Sequence, residues 1–261
     1  MVGARQPPFR TFTVEMTPML GVQGEQALHP TPNSDLAPAS GRNAGDSPYA
    51  VFRRLVRERR SIRKFLDKPV DESEIRELVD CARFAPSDTN SQPWEFVAVL
   101  DREKIGRIER MTWDALHRRA AEAEARGKER EARLLLKSFG PYATAFGGAP
   151  ALLVCLSTPY HSKFREKIFD PIGLADEGVW REESVKSSCL AAMVLMLAAH
   201  ARGLACCPMT GPVLLAEEEM RAELGIDASR QVNMVIALGY PAVHPDPTPR
   251  KEVDEILTVV R

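Results

Sequence analysis

Apolar and polar positions alternate with the period of a helix in two segments between residues 47 and 82. Ser47 followed by Pro48 is typical of a helix start, and this helix is expected to run to about Arg59. A second helix is predicted after Asp71, which forms a capping-box pattern with Glu74. Its core face carries apolar side chains at positions i, i+3, i+4 and i+7, namely Ile75, Leu78, Val79 and Ala82.

Three later segments also predict helices. Charged residues dominate 102–137, which indicates a mostly exposed helix that Gly127 divides in two. This charged segment is either a plain surface helix or a lid that covers a site. The segment 184–201 is apolar nearly all round and too short and too polar at its ends for a membrane span, so it predicts a buried helix. The segment 216–224 predicts a shorter helix that ends at Gly225.

Short runs rich in apolar and β-branched residues predict the strands of a sheet. The segment 138–150 is expected to be a flexible loop. The segment 159–180 is interpreted either as an irregular excursion that lines a pocket or as a surface loop with aromatic anchors. A short helix or strand is expected at 253–260. The four predicted strands are Glu95–Leu100, Ala151–Leu156, Leu204–Met209 and Gln231–Leu238.

Composition divides the chain into two parts and excludes some classes of protein. Residues 1–46 have little periodicity and many breaker residues, so they predict an extended, partly disordered arm or linker. Residues 47–261 are expected to form a single domain. The net charge of −1 gives no basic field for nucleic acid or an anionic membrane. No apolar run spans a bilayer and no secretory leader is recognisable, which favours the cytoplasm.

Cysteine and histidine spacing gives no sign of a metal centre. The five cysteines and five histidines contain no CxxC pair and no HExxH pair, and the cysteines are too sparse for a disulfide scaffold. Adjacent Cys206 and Cys207 are interpreted as strand residues that face opposite sides of the sheet, with a redox role as the alternative. No metal site and no catalytic protein side chain is predicted.

The stretch Arg59-Arg60-Ser61-Ile62-Arg63 carries the first candidate chemistry. Guanidinium groups present a rigid fork of N–H donors that fits a phosphate or carboxylate. An extended chain would place Arg59, Ser61 and Arg63 on one face, since alternate side chains of a strand share a face. The stretch is therefore interpreted as a phosphate-binding site or, alternatively, as a solvated basic helix end.

Two further stretches offer polar groups next to strands. Pro86 to Trp94 contains five consecutive polar residues, which either contact a polar ring edge or form an ordinary turn. Pro208-Met209-Thr210-Gly211 follows a strand, and the glycine either permits close approach of a ligand to the backbone or ends the strand in a turn. Arg250 lies in a tail that prolines stiffen.

In this order, and with Gly147–Pro150 and Leu238–Pro241, these stretches resemble the nitroreductase family of FMN-dependent NAD(P)H oxidoreductases over residues 48–261. The resemblance implies an α+β fold with a mixed, mostly antiparallel sheet flanked by helices. It also implies an intertwined homodimer with two FMN molecules at the interface.

The resemblance further implies roles for individual residues. Contacts with the flavin phosphate and ring edge are implied for the arginine motif at 59–63, and Arg250 would join it at the phosphate. A position beside the ring, from the other subunit or the adjacent loop, is implied for Asn90 with Ser87 and Gln92 nearby. The third stretch would lie along the isoalloxazine, with the Thr210 N–H facing flavin N5. The implied FMN-binding residues are Arg59, Arg60, Ser61, Arg63, Ser87, Asn90, Gln92, Pro208, Met209, Thr210, Gly211 and Arg250.

The implied activity has two half-reactions. NAD(P)H delivers a hydride to the flavin, and a nitroaromatic, quinone or similar small aromatic acceptor then takes the electrons. Reductive dehalogenation, flavin cleavage and a non-catalytic flavin-binding role are the alternatives that the same resemblance leaves open.

Overall fold

The computed structural model describes residues 47–261, and the predicted arm at 1–46 lies outside the described residues. The described chain alternates helices with the strands of one sheet. The helices are α1 Pro48–Glu58, α2 Glu72–Ala82, α3 Arg102–Glu124, α4 Glu129–Leu134, α5 Gly140–Ala143, α6 Glu177–Ala201 and α7 Gly211–Leu224. The strands are β1 Trp94–Val99, β2 Ala151–Ser157, β3 Ala205–Met209 and β4 Gln231–Gly239.

The four strands form an antiparallel sheet in the order β1-β2-β4-β3. Strands β1 and β3 are therefore at opposite edges. A parallel bridge between Ser61 and Cys206 adds the residues before α2 to the β3 edge. This α+β arrangement, with all four predicted strands present, confirms the predicted fold class.

Helices cover both faces of the sheet. On one face α2 and α6 enclose a core that includes Leu78, Leu195 and Cys206. On the other face the core includes Ile108 of α3, Met220 of α7 and Cys207 of β3. Adjacent Cys206 and Cys207 thus face opposite sides of the sheet, as predicted.

The predicted start signals of the first two helices act as expected. The Ser47 side chain accepts a hydrogen bond from the Ala50 N–H at 3.2 Å, and Pro48 is the first residue of α1. The Asp71 N–H donates to Glu74 Oε2 at 3.0 Å, which is half of the capping box that begins α2.

The charged segment is more deeply packed than a surface helix. One face of α3 is buried, including Ile105, Ile108 and Leu116. Ion pairs tie its polar face to α7, with Arg107 Nη2 and Arg118 Nη2 each 2.9 Å from a glutamate oxygen of α7. The helix ends before Gly127, which has a φ of +70°. The lid role of the segment 102–137 stays a prediction.

Four predictions about element bounds are wrong. The segment 138–150 is not a flexible loop, since it contains the end of a π-helical turn, α5 and the fully buried Phe146. Helix α6 begins earlier than predicted because Asp176 caps it by accepting from the Gly178 and Val179 N–H groups. Helix α7 begins at Gly211 with Pro212 in its first turn, and the predicted start is a kink. The segment 253–260 contains only a single helical turn, Val253–Glu255.

Helix α6 is long and apolar enough to cross a membrane by length and composition. In this structure it is a core helix, because Ala191, Ala192, Leu195 and Ala199 are fully buried against the sheet and α2. Core helices pass the same length and composition test.

Candidate functional site

The arginine motif, residues 59–63, follows the end of α1 as an extended segment beside β3. Arg59 follows the helix with a φ of −56° and a ψ of 128°. The Ile62 N–H donates to the Cys206 carbonyl at 3.2 Å, next to the bridge that Ser61 forms with Cys206. Ile62 is buried in the protein, so Ser61 and Arg63 share the opposite face of the segment. The extended conformation that the phosphate-binding interpretation requires is therefore present.

Two guanidinium nitrogens of this motif are buried without a partner. Arg59 Nη1 and Arg60 Nε have no hydrogen-bond acceptor within residues 47–261. Arg60 Nη1 donates to the carbonyls of Arg57 and Arg59, at 2.6 and 3.1 Å, which fixes the side chain but leaves its charge uncompensated. A buried donor without a partner costs about 1–3 kcal/mol, and more when it is charged. An anion bound here would remove that cost.

The tail brings a further cation to the same place. Arg59, Arg60 and Arg250 line one cleft of about 750 Å³, together with Lys251 and aromatic residues of α1. Arg250 Nη1 donates to the Pro249 carbonyl at 2.9 Å. Within residues 47–261 none of the three arginines forms an ion pair with a carboxylate. Arg250, although far along the chain from Arg59 and Arg60, thus lines one positively charged cleft with them.

Arg63 lies outside this cleft, toward the middle of β3. Its guanidinium carbon is 5.2 Å from the centre of the Tyr142 ring. Burial raises the pKa of the Cys207 thiol, while the Arg63 charge and a hydrogen bond with Ser61 act in the opposite direction. Arg63 and Ser61 are therefore neighbours of Cys207, the residue immediately before the third candidate stretch.

The third stretch joins β3 to α7. Thr210 is exposed and occupies the N-cap position, so the free N–H groups of the first helical turn lie beside it. A Cβ atom at Gly211 would be 2.7 Å from the Ala143 Cβ atom. The structure thus explains the glycine by close packing against α5. Helix N-termini favour negative charge, so this turn suits an electron-rich ligand edge.

The second candidate stretch has a strained backbone. Thr89, Asn90 and Gln92 have φ values of 47°, 56° and 47°, in the left-handed region that favours glycine. Each such residue costs about 1–3 kcal/mol and persists only where the surroundings enforce it. The Gln92 N–H donates to Ser87 Oγ at 3.0 Å, which closes the turn. Strain of this kind is concentrated at functional sites.

Within one chain this strained turn does not meet the arginine motif. The turn leads into β1, while the arginine motif and Pro208–Gly211 flank β3, at the other edge of the sheet. Three strand spacings separate these edges, roughly 14 Å. The sequence-predicted residues therefore form two groups. Ser87, Asn90 and Gln92 belong to one group, and the remaining predicted residues lie at the β3 edge.

Sequence reasoning missed Tyr160, which supports the strained turn. Its hydroxyl lies 2.6 Å from Asp88 Oδ2 and 2.9 Å from Thr89 Oγ1. The sequence predicts a pocket-lining excursion or a surface loop with aromatic anchors at 159–180, and the buried Tyr160 and Trp180 act as such anchors. Its position, separated by only two residues from the fully buried strand β2, could have indicated that Tyr160 is buried.

Two other chemistries find no support in residues 47–261. No group of three or more potential metal ligands is present there. Burial raises the pKa of the Cys206 thiol to about 12, although Arg59 acts in the opposite direction. This thiol is therefore protonated at neutral pH and is a poor nucleophile. The candidate site offers cations, backbone N–H groups and hydroxyls, which suit the binding of a phosphorylated, electron-accepting ring.

Comparisons with known proteins agree with this description. Over 206 residues the chain is 30% identical to a nitrobenzene nitroreductase of Ectopseudomonas oleovorans, covering 71% of this chain and 85% of that protein. Over 207 residues it is 30% identical to an NADH dehydrogenase of Thermus thermophilus, covering 77% and 91%. A crystal structure of iodotyrosine deiodinase bound to FMN and 3-iodo-L-tyrosine superposes with a TM-score of 0.57 at 25% identity, covering 80% and 97%.

Fold and comparisons together define the class of a flavin-dependent oxidoreductase. The model of the nitroreductase family matches residues 56–240. That range is more than half of the chain, and the chain belongs to the nitroreductase family.

Proposed function

We propose that this protein is an FMN-dependent oxidoreductase that takes a hydride from NADH or NADPH and reduces a nitroaromatic or quinone-type acceptor in two half-reactions. The observation that carries the proposal is the pair of buried, unpaired nitrogens, Arg59 Nη1 and Arg60 Nε, beside the cleft that Arg250 lines. The names of the two relatives, an NADH dehydrogenase and a nitrobenzene nitroreductase, support the nicotinamide donor and the nitroaromatic acceptor. The deiodinase structure supports FMN.

The cleft suits the phosphate end of the cofactor. A phosphate carries close to two negative charges and several acceptor oxygens, which would satisfy the unpaired nitrogens and offset the repulsion among the three arginines. Arg59, Arg60 and Arg250 would hold it. The cleft is also lined by Tyr49 and Phe52 of α1, which are exposed in the single chain.

The ring would lie along the end of β3. Ser61 and Arg63 are neighbours of Cys207, and Pro208, Met209, Thr210 and Gly211 follow directly. When bound there, FMN would supply the hydride chemistry. The Arg63 cation and the N–H groups at the start of α7 would stabilise negative charge at the ring edge, and the Thr210 N–H would face flavin N5.

A second copy of the chain would complete each site. The strained turn with Ser87, Asn90 and Gln92 is at the opposite sheet edge, so one chain alone does not bring it to the ring. A homodimer would do so. Such a dimer would have ample apolar surface to bury, since large side chains of α1, α6 and the tail are exposed. These side chains are Tyr49, Phe52, Val56, Leu190, Met193, Ile256, Leu257, Val259 and Val260.

We place this enzyme in the cytoplasm. All five cysteines are free, and three of them are buried. Free cysteines without disulfides are typical of a reducing compartment.

Absorption spectroscopy tests the proposal. The purified chain, incubated with FMN and then desalted, is expected to keep a yellow chromophore with a flavin spectrum. NADH or NADPH under anaerobic conditions should bleach this spectrum, and nitrobenzene or a benzoquinone should restore it. A protein that stays colourless after incubation with FMN contradicts the cofactor. A bound flavin that neither nicotinamide nucleotide reduces favours a non-catalytic flavin-binding role.

Reductive dehalogenation is the second candidate, because the deiodinase structure shares the fold at 25% identity. The same reduced protein should then be oxidised by an iodophenol with release of iodide. Turnover of nitrobenzene without iodide release favours the first function, and the reverse result favours the second.

A further inference from the structure

The turn before β1 adopts a conformation that its own residues disfavour. Thr89, Asn90 and Gln92 all have positive φ values, and none of them is glycine. Asparagine tolerates this region, but a β-branched residue such as threonine rarely adopts it. Contacts from outside the turn must therefore hold it in place.

Tyr160 provides these contacts. It is 1% exposed, and its hydroxyl lies between Asp88 Oδ2 at 2.6 Å and Thr89 Oγ1 at 2.9 Å. A phenol has one hydrogen. The Tyr160 hydroxyl therefore donates to the Asp88 carboxylate and accepts from the Thr89 hydroxyl, so two consecutive residues of the turn are fixed by one side chain.

The tyrosine is itself held rigidly. Its ring stacks on Trp180 with centroids 5.4 Å apart and an angle of 8° between the planes. Phe169 stacks on Trp180 with centroids 5.7 Å apart. Arg165 Nη1 donates to the Tyr160 carbonyl at 3.0 Å, and the Arg165 guanidinium lies over the Trp180 ring. The segment 159–180 is thus an aromatic stack whose end presents one hydroxyl to the turn.

We propose that Tyr160 is a positioning residue that preorganises the turn containing Ser87, Asn90 and Gln92 for the cofactor. This inference rests on the proposed function, in which the turn faces the flavin across the dimer interface. The strain is borne by the folded protein before binding. Cofactor binding therefore does not have to order the turn, and affinity is gained by preorganisation. Tyr160 acts through Asp88 and Thr89 and need not touch the flavin.

The test compares two tyrosine variants that lose the same kind of hydrogen bond. Tyr160→Phe removes the hydroxyl but keeps the ring that stacks on Trp180. Tyr240→Phe is the matched control, because the Tyr240 hydroxyl donates to Glu74 Oε1 at 2.8 Å, away from the turn. Tyr160→Phe is expected to raise the dissociation constant of FMN about tenfold, as two modest hydrogen bonds are lost. Tyr240→Phe should leave it unchanged.

Two readouts separate positioning from a purely structural role. In the cofactor-free proteins, amide hydrogen exchange should accelerate at 87–92 in Tyr160→Phe and not in Tyr240→Phe. The absorption and circular dichroism bands of bound FMN should change in Tyr160→Phe. If the role of Tyr160 were only structural, Tyr160→Phe would lower thermal stability. The folded fraction of the variant would then have the flavin spectrum and the FMN affinity of the parent.

Variants of Thr89, the exposed partner of the Tyr160 hydroxyl, give a second test. Because Thr89 is exposed, its substitution leaves the core unchanged. Thr89→Val keeps the β-branched shape and loses the hydroxyl, so it should weaken FMN binding severalfold. Thr89→Ser keeps the hydroxyl and should retain the parent affinity.

The outcomes distinguish this inference from the function on which it rests. A parent protein that fails to bind FMN overturns both. A parent that binds FMN, with Tyr160→Phe and Thr89→Val binding equally well and exchanging equally slowly at 87–92, overturns the positioning role alone.

Discussion

The two edges of the sheet differ in what is unfavourable: the β3 edge has buried donors without partners, and the β1 edge has a strained backbone. At the β3 edge the backbone is relaxed, but buried guanidinium nitrogens of Arg59 and Arg60 have no partner. At the β1 edge Ser87, Asp88 and Thr89 have hydrogen-bond partners and the neutral Ser91 Oγ is buried without one, but the backbone is strained. The β3 edge lacks an anion to compensate its arginines, whereas the conformation of the β1 edge is already fixed by contacts within the protein. Binding energy should therefore come mainly from the β3 edge, and precise placement from the β1 edge.

The largest effect is expected from reversing charge at the β3 edge. Arg59→Glu should abolish FMN retention, because it places a carboxylate where a phosphate would bind. Arg59→Ala or Arg250→Ala should each cost about 1.5–3 kcal/mol, or roughly 10- to 150-fold in affinity. Fluorescence titration with FMN measures the dissociation constants. Arg76→Ala is the control, since Arg76 is exposed and paired with Glu72. Unchanged affinity in the Arg59 and Arg250 variants would contradict the assignment of the cleft.

The next effect tests whether the two edges meet across chains. Arg59→Glu is expected to give protein without flavin, and so is Asn90→Asp, because it adds a carboxylate that repels the electron-rich ring edge. When the two variants are unfolded, mixed in equal amounts and refolded, half of the dimers are hybrids, and each hybrid has one intact site. About a quarter of the parent flavin content should return. The double variant in one chain, treated in the same way with itself, serves as the control. No recovery in the mixture would mean that both edges serve a site within one chain.

A smaller effect concerns the packing of the turn after β3. Gly211→Ala should destabilise the fold by about 1–3 kcal/mol, because the added methyl group would overlap Ala143. Gly148→Ala is the matched control, as no atom lies within 4 Å of a Cβ atom there. Denaturant titration gives both free energies of unfolding. Equal values for the two variants would show that Gly211 is not required for packing.

The smallest effect is a pH dependence beside the arginine cleft. Burial lowers the pKa of His200, with Arg59 and Arg60 contributing in the same direction against Glu58. The unfolded chain then binds a proton at a higher pH than the folded chain. This contribution to stability is present above the ordinary pKa of about 6.5 and is lost as the pH falls below it. Denaturation midpoints between pH 5 and 8 should show this decline in the cofactor-free protein.

His200→Gln provides the comparison for that pH dependence. The variant should lose the His200 part of the decline between pH 6.5 and 5. A parent and a variant with parallel profiles over this range would show that His200 titrates alike in the folded and unfolded chains.

Local sequence signals predicted the parts of the fold that depend on neighbouring residues. The Ser47-Pro48 start and the Asp71–Glu74 pair need only a few residues to act, and both are present in the structure. The sequence predicts that helix α7 begins at Ala216, because the residues before it resemble a turn with glycine and proline. Pro212 is in fact in the first turn of that helix, where proline is favoured.

Contacts between distant segments were harder to predict. The convergence of Arg59 and Arg250 entered only through the resemblance to a family, since nothing in their local sequence requires it. The role of Tyr160 was missed because its partners Asp88 and Thr89 are about 70 residues earlier. The buried packing of the segment 138–150 was missed because glycine and proline usually indicate a loop.

Comparing the dissociation constants of FMN and riboflavin shows whether the arginines bind a flavin phosphate, since the two flavins differ only in that phosphate. The parent protein is expected to bind FMN at least about 100-fold more tightly than riboflavin, since riboflavin lacks the phosphate and its charge-assisted contacts. In Arg59→Ala/Arg250→Ala this preference should collapse to within a few-fold, with riboflavin affinity unchanged. Equal affinity of the parent for both flavins would contradict the claim that these arginines bind a flavin phosphate.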